Sequence, residues 1–172
     1  MPSEIVNKCA TAIAKKGWKI AFVESATAGR MCSEFSLTEK SGAILRGGIS
    51  CYEVFIKENI LRVPHGLIER YTAESAEVTE SLAKNANEIF KCDIVVAVTG
   101  LTTPGGSESP EKPVGTVFLH ILLPAGEIAH REIFSGLPEK TSPEEVFNRA
   151  KKAVEKHKKL SDQANIKEHI IV

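Results

Sequence analysis

Apolar positions near the start of the chain follow two different spacings, which predict a helix followed directly by a strand. In residues 4–16 the apolar positions recur about every 3.6 residues, as in an amphipathic helix. These positions are Ile5, Cys9, Ala12 and Ile13. Ser3 can cap this helix, and Gly17 is suited to end it. Residues 19–23 then form a short apolar run, which is typical of a buried strand.

The same pattern predicts alternating helices and strands along the rest of the chain. Further helices are expected over residues 27–37, 54–61, 76–90 and 144–159. Thr72 or Ser75 can cap the helix at 76–90. Strands are expected over residues 47–52, 94–98, 114–123 and 128–134. The run 94–98 is apolar throughout, which predicts a central strand buried on both faces. Residues 100–113 contain too many glycines and prolines for regular structure, and residues 124–127 are typical of a hairpin turn.

This order of elements predicts an α/β fold. We expect a three-layer α/β/α sandwich, in which helices cover both faces of a mostly parallel mixed sheet with an antiparallel hairpin at one side. Such sheets bind ligands at the carboxyl ends of their strands, near helix N-termini. Three stretches occupy strand ends, namely residues 24–30, 52–57 and 99–106, so we expect the chemistry there.

Length and charge limit the possible functions. A chain of 172 residues with 42% hydrophobic residues is enough for one domain, which we place at residues 1–160 with a tail at 161–172. The 22 basic and 22 acidic residues leave no net charge, so we expect neither nucleic acid nor a membrane as partner. No apolar run is long enough for a transmembrane span or a secretory signal, which favours a cytoplasmic protein that binds a small molecule.

Cysteine and histidine spacing gives no indication of a metal or another cofactor. The four cysteines are far apart, without a C-x-x-C pair, and the five histidines form no ligand pattern. In a reduced cytoplasm these cysteines are expected to be buried as small hydrophobic residues. The apolar residues 170–172 at the end of the chain leave a homo-oligomer possible.

Ser25 is the first candidate for chemistry because it follows a buried strand and precedes small residues. A hydroxyl, free amides and a helix dipole would meet there, as at a nucleophile beside an oxyanion site, although Ser25 or Thr27 could equally be an N-cap. The glycine-rich residues 100–106 could wrap a phosphate or a heterocycle, but they match no established phosphate motif. Taken alone, Lys57 would be an exposed helix lysine and Tyr52 a core residue.

Four motifs change this interpretation. ESATAG at residues 24–29, GGISCY at 47–52 with Lys57 five residues later, TGLTTPGG at 99–106 and EKPVGTVF at 111–118 occur in this order. Together they resemble the C-terminal domain of the competence-damage-inducible CinA family, whose stand-alone members are nicotinamide-nucleotide amidases. The resemblance covers residues 4–158, and we expect no counterpart of the family's pyrophosphatase-like N-terminal half before Ser25.

The resemblance implies a three-layer α/β/α domain that hydrolyses the carboxamide of nicotinamide mononucleotide without a metal. By motif, Ser25 would be the nucleophile, Lys57 its base, and Tyr52 and Thr99 helpers in the same pocket. The residues expected to bind the substrate are Thr27, Ala28, Gly29, Arg30, Gly100, Thr102, Gly105 and Arg149.

Departures from the family pattern keep other functions open. Ala26, Ala28 and residues 53–55 differ from the usual E-S-C-T-G-G and Y-S-N-E-x-K patterns, and residues 136–138 replace a G-D-R motif. One alternative is a catalytically silent homologue that binds a nucleotide or regulates a partner. Another is a hydrolase that acts on a different amide. Retention of Ser25, Tyr52, Lys57 and Thr99 together favours an enzyme.

Overall fold

The structure is a computed structural model that describes residues 2–134. The predicted helix 144–159, Arg149 and the tail 161–172 lie outside the described residues. The helices are α1 (Glu4–Lys15), α2 (Arg30–Ser36), α3 (Ser41–Ile44), α4 (His65–Tyr71) and α5 (Ala76–Phe90), with a π-helix at Ile56–Ile60. The strands are β1 (Ile20–Glu24), β2 (Leu45–Ser50), β3 (Ile94–Gly100), β4 (Thr116–Leu123) and β5 (Gly126–Ile133). No helix within residues 2–134 is both long and apolar enough to cross a membrane.

The five strands form one mixed sheet in the order β2-β1-β3-β4-β5. Strand β1 pairs in parallel with both β2 and β3, whereas β3–β4 and β4–β5 are antiparallel. The prediction of β3 as a central buried strand is confirmed, since Ile94 to Val98 are all buried. The predicted antiparallel hairpin of β4 and β5 is also confirmed.

Helices cover both faces of this sheet, which confirms the three-layer α/β/α class. On one face, buried residues of α1, α2 and α3 pack on side chains such as Phe22 and Val96. On the other face, α5 packs its apolar stripe on Val23, Val95 and Ala97. Alternate residues along β1 and β3 therefore point to different layers, as the strand period of two requires.

The predicted boundaries hold for α1 and α5 because both helices have local caps. The amide of Val6 donates to Ser3 Oγ and that of Val78 to Ser75 Oγ, so Ser75 rather than Thr72 caps α5. Helix α2 begins three residues later than predicted, since Ala28 (φ 49°) and Gly29 (φ 96°) have left-handed backbone conformations. Helix α4 was missed: none of the predicted helices covers residues 65–71, and Pro64 directly precedes the helix.

Candidate active site

Ser25 and Lys57 meet at the carboxyl edge of the sheet. Ser25 follows β1 directly, and its side chain lies on the α5 side because Val23, two residues earlier, packs there. Lys57 Nζ lies 3.2 Å from Ser25 Oγ in a buried hydrogen bond. Lys57 is fully buried, and Ser25 is 6% exposed. The sequence without the resemblance predicted an exposed Lys57, and that prediction is wrong.

The π-helix turns Lys57 into the protein. Its i→i+5 hydrogen bond runs from the amide of Leu61 to the carbonyl of Ile56, and the amide of Val63 donates to the carbonyl of Lys57. Leu61 and Val63 are buried in the core under α5, which anchors the segment just after the lysine. One wide turn thus fixes the direction of the Lys57 side chain. Such turns are rare in proteins overall, and those that occur are frequently found at functional sites.

Burial also changes the charge state of the amine. Removal from water lowers the pKa of Lys57 below its ordinary value, because the charged form loses hydration. The neighbouring Glu74 carboxylate acts in the opposite direction, raising the pKa of Lys57 by a smaller amount. Burial raises the pKa of the Cys51 thiol to about 11, so Cys51 stays protonated at neutral pH. A lysine with a lowered pKa can accept a proton from a hydroxyl group.

Two backbone amides beside Ser25 have no partner among the described residues. The amide of Ser25 donates to the carbonyl of Val98, that of Ala28 to the carbonyl of Ser25 and that of Arg30 to the carbonyl of Thr27. Neither Ala26 nor Thr27 donates its amide within residues 2–134. Two donors next to a nucleophile are the arrangement that stabilises an oxyanion.

Glu24 has a role that the sequence analysis did not assign. Its buried carboxylate accepts hydrogen bonds from the amides of Gly29 (3.1 Å), Met31 (3.0 Å) and Cys32 (2.8 Å), and from the Thr27 hydroxyl (2.5 Å). The start of α2 is therefore capped by an internal anion. Of residues 27–29, which were expected to bind the substrate, Ala28 and Gly29 already use their amides within the chain, whereas the Thr27 amide has no partner among the described residues. Ser25 and Thr27 are not the caps either. The available signal was an acid a few residues before a helix.

Thr99 is buried beside α5 and pairs with a residue that the sequence analysis did not name. Its hydroxyl lies 2.8 Å from the Thr79 hydroxyl, which also donates to the carbonyl of Ser75 at 2.6 Å. Because Thr79 has only one hydroxyl proton, Thr99 is the donor between the two threonines. Thr79 lay within the predicted helix 76–90, and its contact with Thr99 depends on the packing of α5 against β3.

Tyr52 does not join the buried group. Its side chain is 68% exposed, and within residues 2–134 it forms no hydrogen bond to Lys57. The prediction of a core tyrosine is wrong. The resemblance-based role as a helper of the lysine has no supporting contact. Val54 and Phe55, which follow it, are also exposed.

Two glycines, one at the end of β3 and one in the loop after it, have structural reasons of their own. A Cβ atom at Gly100 would lie 2.9 Å from the carbonyl oxygen of Thr116, so this glycine is required by the close approach of β4. Gly105 has a left-handed φ of 89°, and its amide donates to the Glu108 carboxylate at 2.7 Å. Thr102 and Arg30 are half-buried. Neither forms a side-chain hydrogen bond to another described residue.

Comparison with known proteins identifies the family. The family model described as the CinA C-terminal domain matches residues 3–157. The chain belongs to the CinA C-terminal domain family. The match covers all the described elements, so the resemblance inferred from the four motifs is confirmed.

Curated relatives of this CinA C-terminal domain are longer proteins. CinA-like proteins are 41% identical over 110 residues in Mycolicibacterium vanbaalenii and 35% identical over 134 residues in Desulfotalea psychrophila. These alignments cover 64% and 78% of this chain but only 26% and 32% of the relatives. The chain thus aligns with about a third or less of their length.

Solved structures support the same fold for the CinA C-terminal domain. The competence damage-inducible protein A of Klebsiella pneumoniae has a TM-score of 0.79 at 23% identity, covering 88% of this chain and 92% of that one. The competence/damage inducible protein of Agrobacterium tumefaciens has a TM-score of 0.72 at 27% identity, covering 77% and 80%. The architecture is therefore shared where few residues are identical. Within residues 2–134, no three His, Cys, Asp or Glu side chains are grouped as metal ligands.

Proposed function

We propose that this chain is an amidohydrolase that converts nicotinamide mononucleotide to nicotinate mononucleotide and ammonia through Ser25 and Lys57. The observation that carries the proposal is the buried 3.2 Å hydrogen bond between Lys57 Nζ and Ser25 Oγ. A buried lysine next to a serine at a strand end has a stability cost that a purely structural role does not explain. The family motifs supply the substrate class.

The first half of the reaction forms an acyl-enzyme. Neutral Lys57 accepts the Ser25 proton while Oγ bonds to the carboxamide carbon, and the carbonyl oxygen becomes an oxyanion. The amides of Ala26 and Thr27, which have no partner among the described residues, are the donors available to this charge. The C–N bond then breaks, and protonated Lys57 gives its proton to the leaving nitrogen, so that ammonia departs and the amine is neutral again.

The second half releases the acid. A water molecule loses a proton to Lys57 and attacks the acyl carbon, and the Ser25 oxygen leaves and recovers that proton. Lysine is positively charged only between these transfers. During that interval the carbonyl of Ala73, 3.2 Å from Nζ, and the field of Glu74 stabilise the cation. The low pKa of the resting amine and its brief stabilisation as a cation are thus compatible.

Ammonia release by the purified protein with nicotinamide mononucleotide tests the proposal. Ser25→Ala should abolish release and leave folding intact, because a strand-end hydroxyl can be removed without a cavity. Lys57→Ala should lower the rate by roughly 10²-fold or more. Full turnover by Ser25→Ala would exclude the proposed nucleophile. A parent protein that binds the nucleotide without releasing ammonia would instead indicate a silent homologue.

A second candidate function is hydrolysis of an amide that lacks a phosphate. It is favoured because Glu24 and Glu108 occupy amide donors at Gly29 and Gly105 that a phosphate would otherwise use. The riboside of nicotinamide distinguishes the two. If the mononucleotide is the substrate, Arg30→Ala or Arg149→Ala should raise its KM by roughly 10- to 150-fold and leave that of the riboside little changed. A parent protein that prefers the riboside would support the second candidate.

A further inference from the structure

The turn between α4 and α5 brings a carbonyl oxygen and a carboxylate to Lys57. Lys57 Nζ donates to the carbonyl of Ala73 at 3.2 Å, and the Glu74 carboxylate is close enough to raise the pKa of that amine. Thr72, which begins the turn, has a left-handed backbone with φ 70°. A β-branched residue rarely adopts this conformation, so surrounding contacts must hold the turn in place.

Lys112, which lies between β3 and β4, makes contacts of this kind. Its amine donates to the hydroxyl of Thr72, to the carbonyl of Glu74 (3.0 Å) and to the hydroxyl of Ser107 (2.9 Å). Ser107 in turn donates to the Glu74 carboxylate at 2.8 Å. Three donors of one ammonium group are thus used on the turn and on the loop after β3. Lys112 belongs to the motif at residues 111–118, for which the proposed reaction assigns no role.

The direction of the Lys57 lone pair depends on this turn. A neutral amine has two N–H bonds and one lone pair, and the lone pair must face the Ser25 hydroxyl to accept its proton. The bond to the Ala73 carbonyl fixes one N–H and so limits rotation of the amine. If the turn moved, Lys57 would still be buried, but its lone pair would no longer be held toward Ser25.

We propose that Lys112 is a positioning residue, which holds the turn of residues 72–75 so that the Ala73 carbonyl orients Lys57 toward Ser25 and the Glu74 charge is balanced. The inference rests on the proposed function, because it assumes that Lys57 is the base. It adds a third residue that acts through the turn and does not touch the substrate.

The charges around Lys57 predict the direction in which its pKa should change when Lys112 or Glu74 is replaced. Burial lowers the pKa of Lys57 and Glu74, in the turn, raises it, whereas the protonated Cys51 thiol after β2 carries no charge. Burial also lowers the pKa of Lys112, Glu74 acts to raise it, and Arg131 of β5 acts to lower it. Removing the Lys112 charge leaves Glu74 unbalanced, which should raise the pKa of Lys57. Removing the Glu74 charge should lower it.

The test measures the titration of the Lys57 amine by NMR of 13C-lysine-labelled protein, with Lys57→Met to assign the signal. Lys112→Met should raise the midpoint by roughly half a unit to one unit, and Glu74→Gln should lower it. With the nucleotide substrate, Lys112→Met should reduce kcat with little change in KM, and the rise of rate with pH should shift to higher pH. A one-unit shift alone gives about a tenfold loss below the midpoint.

Lys40→Met is the matched control, since Lys40 is exposed and its side chain forms no hydrogen bond or ion pair with another described residue. If Lys112→Met leaves the midpoint and kcat where Lys40→Met does, the inference is overturned. It is also overturned if Lys112→Met and Glu74→Gln shift the midpoint in the same direction. If Lys112→Met does not fold, Ser107→Ala carries the test, with a smaller upward shift expected and an unchanged midpoint refuting it.

The NMR measurement needs no substrate, so the two proposals can fail separately. A parent protein that releases no ammonia would refute the proposed function even if the midpoints move as expected. Conversely, an active parent whose Lys57 midpoint does not respond to Lys112→Met would refute only the role of Lys112.

Discussion

The carboxylate of Glu24 should contribute strongly to stability, because it replaces a side-chain cap at the start of α2. One of its oxygens accepts from the Thr27 hydroxyl and from the amides of Gly29 and Met31, and the other accepts from the amide of Cys32. The side chain is 1% exposed, so water cannot replace these bonds in place. Glu24→Gln keeps the shape but changes one oxygen into an NH2 group. That group would face a donor in either orientation of the amide.

The expected cost follows from this geometry. Losing one hydrogen bond to a buried charged group costs about 1.5–3 kcal/mol, so we expect Glu24→Gln to lower the free energy of unfolding by about 2 kcal/mol. Glu24→Ala removes all four bonds but lets water reach the half-buried amides of Gly29 and Cys32, and we expect roughly 3–5 kcal/mol. Against a typical domain stability of about 5–15 kcal/mol, the alanine variant would be close to unfolding.

Urea denaturation followed by circular dichroism measures these differences. Glu108→Gln is the matched control, since Glu108 also accepts from a backbone amide but is exposed to water. Its effect should be much smaller than that of Glu24→Gln. If Glu24→Gln were as stable as the parent and as Glu108→Gln, the Glu24 carboxylate would not stabilise the start of α2.

Two further predictions concern Lys57 and Gly100. The pKa of Lys57 lies below its ordinary value of 10.5 in the folded chain. Between the lowered pKa and pH 10.5 the unfolded chain therefore binds more protons than the folded chain, so the free energy of unfolding should rise with pH in that range. Urea denaturation at a series of pH values from 7 up to 10.5 should therefore show the parent gaining stability relative to Lys57→Met, and a constant difference across the whole series would contradict a lowered pKa. Gly100→Ala places a Cβ atom 2.9 Å from the Thr116 carbonyl and should cost about 1–3 kcal/mol, measured by the same method. Gly66→Ala, where no atom lies within 4 Å, should be neutral or slightly stabilising, and equal losses in both would argue against a steric cause.

The sequence by itself determined the elements whose signals are local. The cap at Ser75, the apolar stripe of α5 and the continuous apolar run of β3 all lie within a few residues of the structure they specify. The fold class followed from the order of these elements, because connections in α/β sheets obey simple rules. The sequence also predicted a candidate site at the strand ends, and Ser25 and Lys57 meet there. Their roles as a pair, however, came from the family motifs and not from periodicity.

Only the tertiary structure decided which side chains meet. Ser25 and Lys57 are 32 residues apart, and Lys112 is 40 residues from Thr72, so no local pattern relates them. Their contacts depend on the order of the strands, on the wide turn of the π-helix and on a left-handed turn that distant residues hold. The same is true of Glu24. Whether an acid at a strand end faces solvent, a ligand or the next helix depends on the backbone between them, which bends at Ala28 and Gly29. Such placements are sums of many weak long-range contacts, and a single sequence does not encode them in any one segment.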